Sequence, residues 1–199
     1  MTLTGQALRD EPEAWPVHAT EDVWRGAAPF AVRLDEISVP GEDERFARLV
    51  VEHPGAVVVL AVDDQGRALV LRQYRHAAGH RFVELPAGLL DQPGEDPLEA
   101  ARRELLEEAG LEAGEWEHLT TVHNSPGFTS ERIALFLARD LRPGDPGEFL
   151  AEHEEADMTM HWVPLEDLLA AVVDGRVTDG PLLIALLLHV VRRLGADGV

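Results

Sequence analysis

The segment 96–110, DPLEAARRELLEEAG, constrains the fold more than any other stretch. Asp96 is a preferred N-cap, Pro97 suits the first helical position, and Glu99 stands where a capping box needs it. Gly110 supplies the stop, because glycine enters the left-handed region without a Cβ penalty. A helix is therefore expected over 97–109. At about 100° per residue, Leu98, Ala101, Leu105 and Ala109 form one apolar face. Glu104 and Glu108 lie one turn apart beside that face, and Glu107 flanks them. Arg103 lies between Glu99 and Glu107 and can pair with either. The i±4 neighbours of Glu104 and Glu108 are Ala100, Glu112 and each other. Like charges at this spacing cost about 0.2–0.5 kcal/mol in water. A hard dication such as Mg²⁺ or Mn²⁺ reverses the sign, since it prefers carboxylate oxygens. The competing reading is an ordinary solvated acidic face.

Charge narrows the classes further. The 199-residue chain has a formal net charge of -20. That opposes non-specific binding to nucleic acid or to anionic membranes, which need a basic surface. An anionic substrate must then be received by local arginines or by a metal. There is no cysteine, which excludes disulfides, thiolate zinc sites and thiol catalysis. The nine histidines are scattered, with no HExxH spacing, and neither GxSxG nor GxxxxGK occurs. The N-terminal stretch MTLTGQALRDEPEAWP lacks the basic-then-apolar order of a signal peptide. The longest apolar run, 182–191 across His189, is too short to span a bilayer. A cytoplasmic enzyme or binding protein is expected.

Elsewhere the pattern is mostly β. Residues 1–23 read as a flexible N-terminus. Alternation of Phe30, Val32 and Leu34, then Ile37 and Val39, reads as a strand ending at Pro40-Gly41. DDQGR (63–67) predicts a hairpin between VVVLAV and ALVLRQY. A short strand leads into ELPAG (84–88). Further strands are expected at GEWEHLTTVHN, RIALFLARD and TMHWVP, and helices near 165–173 and 181–194. The fold class expected is α/β, layered around a mixed sheet, with a small N-terminal β subdomain over 24–54 and the main domain over 55–195.

The stretch 88–111 resembles the signature box of the Nudix hydrolases. Glu95, seven residues, then Arg103, Glu104, Leu105, Leu106, Glu107, Glu108, Ala109, Gly110 and Leu111 match every fixed position of that box. Gly88 departs from it, standing seven residues before Glu95 where six is usual; the turn at Pro93-Gly94 can absorb one residue. Pro126, fifteen residues after Leu111, together with HEEADMTMHWVP, RLVVEHPGAVVVL and QYRH, is similar to the ADP-ribose pyrophosphatase branch. The resemblance covers about residues 24–191.

That resemblance implies an α/β/α sandwich, with an N-terminal subdomain often exchanged across a homodimer. It implies Mg²⁺ (or Mn²⁺) held by Glu104 and Glu108, with Glu107 on a further ion and the Ala87 carbonyl completing one sphere. Arg103 would orient these carboxylates through Glu95 or Glu107, and Gly88 and Gly110 would be structural. The general base is expected from the HEEAD loop, as Glu155 or else Glu154. Substrate contacts are expected from Arg48 and Arg75, with Phe30 stacking on adenine or serving as core. Gly127 and Phe128 would shape the pocket rim, although Phe128 suits a core equally well. The activity implied is hydrolysis of ADP-ribose to AMP and ribose 5-phosphate. Other nucleoside-diphosphate sugars, or sensing of ADP-ribose without cleavage, stay open as alternatives.

Overall fold

The computed structural model describes residues 5, 8–27, 29–147 and 157–196. The chain divides into two compact units, 1–52 and 53–199.

The first unit is an antiparallel meander of β1 (Val17–Arg25), β2 (Ala31–Ser38) and β3 (Arg45–Glu52). Residues 17–23, expected to be flexible, are thus strand. Their charged sequence hid this, because the register to β2 is fixed by polar contacts. Thr20 Oγ1 donates to Asp35 Oδ1 at 2.9 Å, and Arg25 engages Asp22 and Glu52. The buried face of β2 is also the reverse of the expected one. Ala31, Asp35 and Ser38 are buried, while Leu34 is 37% exposed. The inward face is polar but satisfied: Arg33 forks onto Asp35, and Ser38 Oγ lies 2.9 Å from His18 Nε2. Buried polar groups are tolerated when hydrogen-bonded.

The second unit holds the remaining strands in two sheets, β10-β5-β6 and β7-β4-β9-β8. They comprise β4 (Ala56–Ala61), β5 (Arg67–Arg75), β6 (His80–Glu84), β7 (Ala87–Leu89), β8 (Leu111–His123), β9 (Arg132–Pro143) and β10 (Thr159–Pro164). The DDQGR turn forms, with Asp63 Oδ1 accepting from the Gln65 and Arg67 amides. The expected hairpin does not. One bridge, Val62 to Ala68, joins the two strands before they part into different sheets. Both edges of β4 are taken, by β7 antiparallel and by β9 parallel. Such a strand is buried on both faces and reads as a continuous apolar run.

The four-stranded sheet is therefore mixed, and helices cover both its faces. Val57, Val59, Ala61, Ala134 and Phe136 face one way, against Ala100, Ala101 and Leu105 of helix α1 (Pro97–Ala109). Val58, Leu60, Leu135 and Leu137 face the other way, against Leu168 of α2 (Leu165–Val173) and Leu182, Ala185 and Leu186 of α3 (Gly180–Ala196). The period of two along each strand sorts its side chains between the layers. No helix among the described residues is long and apolar enough to cross a membrane.

Candidate active site

Helix α1 begins and ends where its sequence demands. Asp96 Oδ1 accepts from the Leu98 amide at 2.9 Å, and Gly110, at φ 62°, donates to Leu106 O at 2.8 Å. Glu99 does not serve a capping box; it is engaged by Arg102. The inward packing of Ala101 and Leu105 leaves the flank that carries Glu104 and Glu108 beside β7.

Glu104 lies against Gly88. A Cβ on Gly88 would stand 1.9 Å from Glu104 Cδ and 2.0 Å from its Oε1. Gly88 is thus required by the carboxylate that occupies its side-chain space; its φ is not in the left-handed region. One turn on, Glu108 Oε2 accepts from the Ala87 amide at 3.0 Å. Two successive residues of β7 therefore receive the two carboxylates four apart on α1. The extra residue before Glu95 sits in a tight turn: Glu95 N donates to Gln92 O, with Pro93 next and Gly94 at φ 79°. Pro then Gly at positive φ is the chemistry of a type II turn.

Arg103 organises the acids more widely than expected. It forks onto Glu95, with Nε and Nη2 each donating at 3.1 Å. Its Nη1 donates to Glu104 Oε1 at 2.6 Å and to Glu107 Oε2 at 3.1 Å. Glu104, expected to lack a basic partner, has its chain neighbour instead, because a long arginine can fold back along the helix. The hydrogen bonds it donates to Glu95 hold the guanidinium well above the usual arginine range despite partial burial, with Glu104 adding to the effect. Among the described residues, no three His, Asp or Glu side chains gather closely enough to hold an ion. In this arrangement Arg103 and the Ala87 amide are among the partners of the box carboxylates. The donor set nonetheless suits a hard dication. Carboxylate oxygens of Glu104, Glu107 and Glu108 line one flank of a helix, and Glu104 has a fitted seat that any side chain at position 88 would fill.

Arg75, at the end of β5, donates from Nε and Nη2 to Glu84 at 2.7–3.1 Å. Burial opposes its charge, but Glu84 most strongly, then Glu108 and Asp179, outweigh that and keep it firmly protonated. Nη1 takes no part in the fork. Glu84 is 6% exposed, so this is a partly buried ion pair beside Glu108. Sequence reading missed Glu84 and Asp179. Asp179 caps α3, its Oδ1 accepting from the Leu182 amide at 2.9 Å. Burial pushes its carboxyl up to about 6; Glu84 adds to this, while the Leu182 amide and Arg75 oppose it. An Asp two residues before a Pro-Leu-Leu run is a capping signal that could have marked it.

The other expected residues are dispersed. Gly127 and Phe128 lie in the 125–131 loop between β8 and β9, where Ser125 O accepts from the Phe128 and Thr129 amides. Phe128 is 54% exposed, so it is not a core residue. Arg48 and Phe30 belong to the N-terminal unit; Arg48 lies over the Phe46 ring, 4.3 Å from its centroid, and Phe30 is half-buried. Glu154 and Glu155 lie outside the described residues. Asp157, the first described residue after them, is bound by Arg81 of β6.

A NUDIX domain model matches residues 52–183. The chain is 44% identical over 161 residues to an ADP-ribose pyrophosphatase of Mycobacterium tuberculosis, covering 81% of this chain and 76% of that one. It is 35% identical over 161 residues to an ADP-ribose pyrophosphatase of Bacillus subtilis, covering 81% and 84%. In three dimensions it is similar to a crystal structure of an ADP compounds hydrolase, with a TM-score of 0.76 at 23% identity, covering 96% of this chain and 99% of that chain. At that identity the likeness speaks for the fold alone.

Proposed function

From the premise that this chain belongs to the Nudix family, we propose that it hydrolyses the pyrophosphate bond of ADP-ribose to AMP and ribose 5-phosphate. The observation that carries the reading is the seating of Glu104 on Gly88 and of Glu108 on the Ala87 amide. Two carboxylates at one site, in a chain this acidic, serve a cation. The similarity to ADP-ribose pyrophosphatases supports ADP-ribose as the substrate.

Divalent metals are the usual cofactors of the family, and Mg²⁺ is the ion proposed here. Glu104 and Glu108 would hold it, with Glu107 and the Ala87 carbonyl as further oxygen donors. When bound, such an ion neutralises the diphosphate and lowers the pKa of a coordinated water. The chain's own residues do the rest. Arg103 orients the carboxylates through Glu95, as groups behind metal ligands do. Arg75, fixed by Glu84, offers its Nη1 edge to phosphate oxygens. A base from the 148–156 segment, Glu155 or else Glu154, accepts a proton from the attacking water. The water oxygen bonds to one phosphorus, the bond from that phosphorus to the bridging oxygen breaks, and the bridging oxygen leaves on the other phosphate. Arg48 and Phe30 are proposed as substrate contacts, Gly127 and Phe128 as the pocket rim, and a cytoplasmic homodimer as the working form.

Incubation with ADP-ribose and Mg²⁺, with an EDTA control, tests this. AMP is expected only when the metal is present. Micromolar ADP-ribose binding without turnover, across a panel of nucleoside-diphosphate sugars, would overturn the hydrolase reading in favour of a sensor.

A further inference from the structure

His53 opens the second unit and carries chemistry that the site described above does not use. Its Nδ1 accepts from the Gly55 amide at 3.0 Å, and its Nε2 lies 3.3 Å from Glu131 Oε1. Its own amide donates to Ser130 Oγ at 3.0 Å. An imidazole nitrogen that accepts an N–H carries no proton, so in the neutral ring the hydrogen sits on Nε2, facing Glu131. Burial pushes the imidazole below its ordinary pKa, against the pull of Glu131. The ring therefore stays neutral and keeps both contacts.

These contacts join two parts of the site. Gly55 O accepts from the Leu90 amide at 3.0 Å, two residues beyond the Gly88 that seats Glu104. A Cβ added to Gly55, at φ 104°, would stand 3.2 Å from Leu90 Cδ1 and 3.3 Å from Arg132 O, so the 53–55 turn packs closely on both. Ser130 and Glu131 end the 125–131 loop. That loop is closed on itself by the Phe128 and Thr129 amides on Ser125 O and by the Glu131 amide on Thr129 Oγ1. The loop thus has internal bonds, and at its C-terminal end His53 ties it down, through its amide on Ser130 and its Nε2 beside Glu131.

We propose that His53 is a positioning residue, a latch that ties the 125–131 loop to the β7 end of the carboxylate site and so fixes Gly127 and Phe128 relative to Glu104 and Glu108. The consequence for substrate rests on the reading that Gly127 and Phe128 border the nucleotide-sugar pocket. Loops that carry binding residues need such an anchor, because backbone of low contact density otherwise opens locally. A rim displaced by even about 1 Å weakens substrate placement.

The test uses His53→Asn. Asn Oδ1 can still accept from the Gly55 amide, as asparagine does two residues along in turns, but its side chain falls short of Glu131. Amide hydrogen exchange of Phe128 and Thr129 should quicken about tenfold, with α1 amides unchanged. KM for ADP-ribose should rise about tenfold, while kcat stays within about threefold. Glu131→Ala should reproduce the exchange effect. Glu131→Gln, which can still accept from Nε2, should leave exchange as in the wild type. Unchanged loop exchange in both His53→Asn and Glu131→Ala overturns the latch. Faster exchange with unchanged KM overturns its positioning role. If wild-type protein fails to turn over ADP-ribose, the substrate reading fails, while the exchange data still decide the latch.

Discussion

Gly88 and Arg103 are the residues on which the proposed site turns. Gly88→Ala places a methyl group where the Glu104 carboxyl stands, yet the backbone there is in a region alanine can adopt. Activity should fall about 100-fold, with the thermal midpoint shifted by only a few degrees, as steady-state kinetics and a melting curve would show. Arg103→Lys should fall short of rescue. A single ammonium cannot fork onto Glu95 while also reaching Glu104 and Glu107, so a loss of roughly 10–100-fold in kcat is expected. Much at this scale was legible. The pattern of the box singled out Glu104, Glu107, Glu108, Arg103 and Glu95, with Gly88 one residue off its usual spacing, and the structure gathers these residues where α1 meets β7. The seat of Glu104 on Gly88 was not legible, because nothing local says which strand will lie under a helix. Nor was the Arg103–Glu104 bond, since helical spacing does not bring neighbours i and i+1 onto one face.

At the scale of elements, α1 was readable from its caps, and β4 from its unbroken apolar run. The partners of β4 were not. A tight turn after VVVLAV suggests a hairpin, but the pairing edges of β4 were filled by β7 and β9, strands distant in sequence. Local turn chemistry survives while register is decided by tertiary contacts. The element-scale prediction concerns the start of α3. The folded-state pKa of Asp179, about 6, is raised from the ordinary 3.8, burial being the main cause. Between these values the folded state holds more protons than the unfolded one, so the Asp179 contribution falls as pH rises and is lowest above about 6. Asparagine caps as well as aspartate and carries no charge. Asp179→Asn should therefore stabilise the protein at pH 7.5 by on the order of 2 kcal/mol, and by progressively less toward pH 4. Denaturant unfolding across that range checks it. An advantage that is absent or independent of pH would show that the carboxyl is not under strain from burial.

For the whole molecule, two properties matter: its buried histidine and its charge. His189 on α3 is 6% exposed, and its Nε2 has no hydrogen-bond partner among the described residues. Burial, with Arg193 and Arg139, depresses its pKa against Glu117. The unfolded chain then takes the proton more readily, so stability is lost as pH falls below the ordinary value of 6.5. His189→Leu should flatten this acid limb, and unfolding midpoints at pH 8 and pH 5.5 would reveal it. The net charge of -20 draws dications diffusely to the entire surface, so a specific site must be told apart from that background. Mn²⁺ binding followed by electron paramagnetic resonance at about 0.15 M salt, where diffuse attraction is screened, is the most direct test. We predict that Glu104→Gln and Glu108→Gln each abolish the tight-binding signal, whereas Glu99→Gln, on the same helix but paired to Arg102, leaves it intact. Tight Mn²⁺ binding that persists in the first two variants would contradict the account.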